Sequence, residues 1–324
     1  MTDKETILAV IDADAEDLSA AERAAYFAEG GGAQIELFSS IFDPYIAGER
    51  LFDSEDLIAA KEKRLAEQRE KLEDVARPLR DDGFDVVVDV VWDEPAYEGI
   101  VRKVLRTKPA MVIRNNHYHH ALQRGLFSND DWNLIRTCPA PLLITRHGKH
   151  PSERMNICAA VDPMHAHDKP AELDHEILKT AIAIADRIEG DVSVVHCYDA
   201  AAVIAGMAAG SMTPIIPDTE QIAEQVRDEH WVSVAKLLEP YGVAESDVHH
   251  LPGNPRMVLP GFVAEQKIDL MVMGAVSRGF LERTFIGNTA EQVLDRMPCD
   301  LLIIKPANFE CAVRHDSRHR FHPE

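Results

Sequence analysis

Short apolar runs alternate with longer amphipathic segments along the whole chain. In the first half, runs rich in Val, Ile and Leu predict strands at residues 7–12, 34–39, 85–92, 110–114 and 142–145. The segments between them carry apolar residues three and four positions apart, and they predict helices at 20–29, 54–79 and 130–136. Strands that alternate with helices are typical of a parallel sheet covered on both faces.

The second half repeats this order. It predicts strands at 157–162, 191–197, 247–251, 270–273 and 301–304, and helices at 172–188, from residue 218 or 219, and at 289–296. The run TILAVIDAD is answered by NICAAVDPM, and RTCPAPLLITR by DRMPCDLLIIK. Equivalent positions lie roughly 150 to 160 residues apart, which is about one domain length. We therefore expect two copies of one five-stranded α/β domain.

The repeat also predicts the domain organisation. The domains are expected at residues 1–147 and 155–308, joined by a linker at 147–154 and followed by a flexible tail at 309–324. The fifth strands, 142–145 and 301–304, are uninterrupted apolar runs at a sheet edge, and such edges must be paired or covered. The sequence thus predicts that the two domains pack together as an intramolecular pseudo-dimer.

A glycine-bearing stretch, MGAVSRGFLERTFIGNTAEQVL at 273–294, distinguishes the second copy from the first. Gly274 follows a predicted strand, and Gly287 precedes a predicted helix whose free N–H groups can receive a phosphate. The alternative is that these glycines serve only a tight turn and a helix cap. The first copy has Asn115 and Ser128 at the corresponding positions, so a ligand is expected in the second copy.

An aspartate ends the first strand of each copy. Asp12 and Asp162 would lie at the carboxyl edge of an open parallel sheet, where ligands bind in such folds. Asp162 is the better candidate because its copy keeps the glycines. The alternative for both residues is that the carboxylate caps the following turn.

The stretch from Met273 to Thr289 resembles the nucleotide loop of the universal stress protein family, Gly-x2-Gly-x9-Gly followed by Ser or Thr. Both repeats resemble the family's five-stranded domain over nearly the whole chain, and the tandem arrangement is similar to that of its E-type members. Gly274 and Gly287 match the first and last glycines. Ser277 stands where the middle glycine is expected, and Asn288 replaces the small hydroxyl residue.

The resemblance implies a Rossmann-like fold of the adenine nucleotide alpha hydrolase type. Asp162 matches the acidic residue that lies near the nucleotide's ribose and metal in the family. ATP or another adenine nucleotide, with Mg²⁺, would bind at Asp162, Met273, Gly274, Ser277, Gly287, Asn288 and Thr289. The resemblance also implies a regulatory, non-catalytic role in stress survival, including resistance to DNA-damaging agents.

Charge and composition limit the classes of partner and the cellular location that are expected. The net charge of −21 would repel nucleic acid and anionic lipid, so direct binding to either is not expected. No secretory signal is recognised and no apolar run is long enough to cross a bilayer, so a cytoplasmic location is expected. The five cysteines lack CxxC spacing and are expected to be reduced thiols.

Two other groups of residues have alternative interpretations. The apolar segment 199–217 is interpreted as a loop that walls a hydrophobic cavity for an apolar ligand, or as a surface that packs against the other repeat or a second subunit. The C-terminal segment is interpreted as a mobile terminus or as a zinc site, with ligands Cys311, His315, His319 and His322. Adjacent histidines at 117–120 are a weak ligand set, and no metal site is predicted.

Three classes of function remain open from the sequence: a nucleotide-binding regulatory module, a weak nucleotide hydrolase and a carrier of an apolar ligand. The chain has no Walker-type lysine after the glycines, no G-x-S-x-G nucleophile turn and no HExxH zinc motif. The first class is therefore favoured, and no catalytic residue is predicted.

Overall fold

A computed structural model gives the structure of the chain. It describes residues 4–12, 18–29, 32–43, 55–115, 128–146, 154–164, 171–210, 218–274, 293–294 and 296–315. These residues fall into two compact units. The first lies within Met1–Lys149 and Phe309–Glu324, and the second within His150–Arg278 and Ile286–Asn308.

The first unit is a parallel sheet with helical crossovers. Its elements are β1 Thr6–Val10, α1 Ser19–Glu29, β2 Gln34–Ile41, α2 Glu55–Asp81, β3 Val86–Trp92, α3 Ala96–Thr107, β4 Met111–Asn115, α4 Asn129–Thr137 and β5 Leu142–Thr145. The strand order is β3-β2-β1-β4-β5, and each of these neighbours is paired in parallel.

The second unit has the same topology. Its elements are β6 Asn156–Ala160, α5 Ala171–Ile188, β7 Asp191–Tyr198, α6 Ala200–Gly210, α7 Thr219–Leu238, β8 Val248–Pro252, α8 Pro255–Glu265, β9 Leu270–Gly274 and β10 Asp300–Ile304. The strand order is β8-β7-β6-β9-β10, again parallel throughout. The predicted α/β fold with two five-stranded parallel sheets is confirmed.

The central strands are buried on both faces, which explains why the sequence shows them as continuous apolar runs. Leu8, Ala9, Val112, Leu270 and Val272 are each fully buried at 0% exposure. All ten described strands, and helices α1, α2, α4 and α5, begin and end within two residues of the predicted positions. The predicted helix at 289–296 lies mostly outside the described residues.

One predicted element is wrong. The segment that begins at Asp199 was expected to be a loop, but residues Ala200–Gly210 form helix α6. Its composition is almost uniformly Ala, Gly, Val, Ile and Met, so no polar face marks a helical period. Residues 211–217 lie outside the described residues.

The described part of the C-terminal segment, 309–315, contacts the first unit. The thiol of Cys311 donates a hydrogen bond to the Thr137 carbonyl at 3.2 Å. The Arg102 Nε donates to the carbonyl of Arg314 at 3.2 Å, and Val313 is buried. The sequence predicted a flexible tail from residue 309, whereas this part is packed. The domain boundaries and the packing of the two domains as a pseudo-dimer stay predictions.

Within the described ranges, no helix combines the length and the apolarity needed to cross a membrane.

Candidate functional site

The carboxyl edge of the second sheet brings together the described members of the predicted site. Strands β6 and β9 are neighbours, with Ala160 paired to Met273. Asp162 comes two residues after the end of β6 and Gly274 is the last residue of β9, so both lie at the same edge. Asp162 is half-buried, and the Met273 side chain is buried. Ser277, Gly287, Asn288 and Thr289 lie outside the described residues, and their roles stay predictions.

Gly274 allows helix α5 to approach strand β9 closely. A Cβ on Gly274 would lie 2.6 Å from the Leu173 Cδ2 and 3.1 Å from its Cγ, both shorter than an ordinary contact. Gly274 is not among the glycines with positive φ. Its described role is therefore helix packing, which the sequence interpretation as a turn or a phosphate contact did not include.

A substitution series tests this role of Gly274. Gly274→Ala is expected to lower the free energy of unfolding by about 1–3 kcal/mol, because Leu173 must leave its buried position. Gly261→Ala on helix α8 is the matched control, since nothing lies within 4 Å of the added Cβ. The control is expected to be neutral or stabilising by up to about 1 kcal/mol. Equal effects in denaturant unfolding would contradict the packing role.

Asp174 on helix α5 holds the backbone at Asp162. The Asp162 N–H donates to Asp174 Oδ1 at 3.1 Å, and Asp174 is only 4% exposed. Its second carboxylate oxygen, Oδ2, is buried without a hydrogen-bond partner among the described residues. Burial raises the pKa of Asp174 to about 7, helped by the negative charge of Asp162 and opposed by the hydrogen bond from the Asp162 N–H.

The histidine pair His196 and His230 binds the backbone carbonyl of Val161, the residue before Asp162. The His196 Nδ1 lies 2.9 Å from the Val161 carbonyl oxygen, which can only accept, so Nδ1 carries the proton. In the neutral form of His196, which its burial favours, the Nε2 is then the acceptor of the 2.7 Å bond from His230 Nδ1. His196 is 1% exposed.

His250 stacks against this pair. Its ring lies 5.6 Å from that of His196 and 4.4 Å from that of Tyr198, between centroids. Burial lowers the pKa of His250 to about 4, together with repulsion from His196 and His230. The sequence analysis did not find His196, His230 or Asp174. The register of adjacent predicted strands could have found one contact, because His196 and His250 are partners in β7 and β8.

The equivalent edge of the first unit is closed by ion pairs. Arg114, at the position of Met273, bonds through Nε to Asp131 Oδ1 at 2.7 Å and lies 3.6 Å from Asp12 Oδ2. Arg114 and Asp131 are buried. Burial alone would lower the pKa of Arg114, but the charges of Asp12 and Asp131 outweigh it and raise the pKa, so the guanidinium stays charged.

Ser128 caps the N-terminus of helix α4, which follows strand β4 in the first unit. It is the N-cap of helix α4, and its Oγ accepts from the Asp131 N–H at 3.1 Å. The Ser128 N–H in turn donates to Asp131 Oδ2 at 3.0 Å, which completes a capping box. An internal carboxylate thus occupies the end of the helix where an external anion would otherwise bind.

Asn115, at the position of Gly274, also makes internal bonds. Its Oδ1 accepts from Ser19 Oγ at 3.0 Å and from Thr145 Oγ1 at 3.2 Å, and all three side chains are buried. The polar side chains at the ends of β4 and β5 therefore bind one another and helix α1.

A cavity of about 480 Å³ lies at the carboxyl ends of β7 and β8 in the second unit. Its lining includes three carboxylates and one guanidinium: Asp199, Glu220, Glu224 and Arg227. Ala200 and Ala201 of helix α6 also line it, as the sequence suggested for this segment. Charged and apolar side chains both line this cavity, and the hydrophobic cavity expected beside residues 199–217 stays a prediction.

The remaining histidine clusters of the sequence are only partly described. Residues 116–120, His165, His167, His319 and His322 lie outside the described residues. Cys311, the first residue of the alternative zinc set, is engaged with Thr137. Within the part of the chain that the structure describes, no group of three or more His, Cys, Asp or Glu is placed to hold a metal ion.

Comparison with known proteins identifies the family to which this chain belongs. The model of the universal stress protein family matches the chain twice, at residues 4–146 and 154–305. Universal stress protein E of Photorhabdus laumondii is 26% identical over 316 residues, which cover 97% of this chain and 99% of the relative. Universal stress protein E of Escherichia coli is 26% identical over 313 residues, covering 96% and 97%.

Solved structures agree on the fold. A putative universal stress protein from Pseudomonas aeruginosa superposes with a TM-score of 0.70 at 22% identity, covering 95% of both chains. A universal stress protein from Archaeoglobus fulgidus has a TM-score of 0.64 at 15% identity, covering 94% of this chain and 99% of that one. The chain therefore belongs to the universal stress protein family and carries two of its domains in tandem.

Proposed function

We propose that the second unit of this chain binds an adenine nucleotide, such as ATP with Mg²⁺, and that the first unit has become structural. The contrast between the two equivalent sheet edges carries this proposal. In the first unit, Arg114 and Asp131 neutralise each other. In the second unit, Met273 and Gly274 stand at the corresponding strand end, and Asp162 stays half-buried.

The first edge is unsuited to a phosphate. The N-terminus of helix α4 already holds the Asp131 carboxylate, which accepts from the Ser128 N–H and from Arg114. A phosphate would find this helix end already occupied. The two carboxylates of Asp12 and Asp131 also outnumber the single cation of Arg114, so the approach of a phosphate would cost Coulomb energy.

The described half of the second edge suits the ribose end of a nucleotide. The carboxylate of Asp162 can accept hydrogen bonds from ribose hydroxyls, as acidic residues do in other doubly wound folds. By the family pattern, backbone N–H groups around Ser277, Gly287, Asn288 and Thr289 would hold the phosphates. Bound Mg²⁺ would supply positive charge that offsets the phosphates.

We further propose a non-catalytic, regulatory role in the cytoplasm that supports stress survival, including resistance to DNA-damaging agents. The net charge of −21 disfavours direct contact with DNA, so any such protection would act through a ligand or another protein. The second candidate, a weak nucleotide hydrolase, uses the same site and differs only in turnover. A carrier of an apolar ligand is disfavoured by the carboxylates that line the described cavity.

Calorimetry of the full chain with ATP and Mg²⁺ tests the proposal, together with native mass spectrometry of protein purified without added ligand. We expect one nucleotide per chain and no multiple-turnover release of ADP. Sustained ADP release would favour the hydrolase instead. Absence of binding for both ATP and adenosine would overturn nucleotide binding, and a co-purified lipid would favour the carrier.

A further inference from the structure

One peptide bond in the second unit is held from both sides. The carbonyl of Val161 and the N–H of Asp162 belong to the same planar peptide group. The carbonyl accepts from His196 Nδ1 at 2.9 Å, and the N–H donates to Asp174 Oδ1 at 3.1 Å. Rotation of this peptide would break both bonds, so the two contacts fix its orientation.

The contacts form one directed chain of hydrogen bonds. His230 donates to His196 at 2.7 Å, His196 donates to the peptide carbonyl, and the peptide N–H donates to Asp174. Every donor in this chain points toward the carboxylate of Asp174. Hydrogen bonds aligned in this way polarise and strengthen one another.

We propose that Asp174 and His196 are positioning residues, which fix the Val161–Asp162 peptide and so aim the Asp162 side chain at the ligand. The inference rests on the proposed nucleotide site. Asp162 follows this peptide directly, and its Cα is part of the peptide plane. A fixed plane therefore limits where the Asp162 carboxylate can lie, which reduces the ordering cost of binding.

The first unit provides an internal comparison for His196. The Ile11 N–H bonds to Phe38 as the Val161 N–H bonds to Val195, so Ser39 corresponds to His196. Ser39 is buried and accepts from Gln68 Nε2 at 3.1 Å. His196 is therefore found in the unit with the proposed ligand site, although the fold itself accommodates a serine there.

Asp174 is costly to bury. A buried acceptor without a partner, such as its Oδ2, is unfavourable in a folded protein. The contact to the Asp162 N–H would be met equally well by an asparagine, which carries no charge to bury. Asn is therefore the natural rescue variant, and Ala, which removes the acceptor, is the natural disrupting variant.

Two variants, Asp174→Ala and Asp174→Asn, test the inference in the full chain. Amide hydrogen exchange is followed by NMR at Asp162, with the Val161 amide as an internal control because it bonds to the Val195 carbonyl instead. We expect Asp174→Ala to speed exchange at Asp162 by at least about tenfold and to raise the dissociation constant for ATP by about tenfold. A factor of about ten corresponds to the loss of one hydrogen bond. Asp174→Asn is expected to stay within about twofold of the natural chain in both measurements.

The exposed neighbour Glu172 on the same helix gives the control variant, Glu172→Ala, which is expected to change neither measurement. If Asp174→Ala leaves the exchange rate at Asp162 unchanged, Asp174 does not fix the Val161–Asp162 peptide, whether or not ATP binds. Faster exchange with unchanged ATP affinity would overturn the positioning role. If the natural chain binds neither ATP nor adenosine but Asp174→Ala still speeds exchange at Asp162, the proposed function is overturned. The contact that fixes the Val161–Asp162 peptide would then still be supported.

Discussion

Replacing Gly287 with aspartate is expected to abolish nucleotide binding, with the affinity for ATP and Mg²⁺ falling by at least about 100-fold. The new carboxylate would stand at the N-terminus of the predicted helix and repel the phosphates, and its Cβ would occupy the space that glycine leaves for the backbone to approach them. The first unit already has a carboxylate at the equivalent helix end, Asp131. Calorimetry with ATP measures the effect, and adenosine, which lacks phosphates, should lose much less affinity.

The matched control for Gly287 lies at the equivalent position of the first unit. Ser128→Asn keeps a side chain that can cap helix α4, and it avoids placing an aspartate against Asp131. We expect this variant to bind ATP like the natural chain. A loss of ATP affinity from Ser128→Asn with none from Gly287→Asp would mean that the nucleotide binds in the first unit.

Replacing Arg114 with methionine is expected to destabilise the first unit by about 3–5 kcal/mol, because Asp131 would be left as a buried charge without its cation. Asp131 is 0% exposed. Methionine is the residue that the second unit carries at this position, Met273, so the substitution fits the fold. Denaturant unfolding of the first unit can be followed by the fluorescence of Trp92 and Trp132 in a Trp231→Phe background.

Two further variants make the test of Arg114 specific. Adding Asp131→Asn to Arg114→Met removes the stranded charge and should recover much of the lost stability. The exposed pair of Arg77 with Asp74 supplies the control: Arg77→Met is expected to cost less than about 1 kcal/mol. If Arg114→Met cost no more than this control, the ion cluster would not be what stabilises the edge.

The sequence predicted the fold well because the central strands are covered on both faces. Burial of both faces requires continuous apolar runs, such as Leu270–Gly274, and those are readily distinguished from amphipathic helices. Helix α6 was not predicted because its residues are apolar on every side, including the exposed Val203 and Met207. The sequence therefore shows no alternation of polar and apolar residues with a helical period.

The candidate site was predicted only in part. Asp162 and Gly274 were recognised because strand ends and glycines are visible along the chain. Asp174 was missed because an acidic residue in the first turn of a helix is usually an exposed partner of the helix dipole. His196 and His230 lie 34 residues apart, and only the tertiary fold brings their rings together. Side-chain contacts across elements are therefore what the sequence could not supply.

The ion cluster of the first unit has an evolutionary consequence. Replacing Arg114 alone would leave the Asp131 carboxylate buried without its cation, and replacing Asp131 alone would leave Arg114 with the more distant Asp12. Opening this edge would therefore require two changes, of which the first is costly in stability. Selection acting on stability alone would thus keep the edge of the first copy closed.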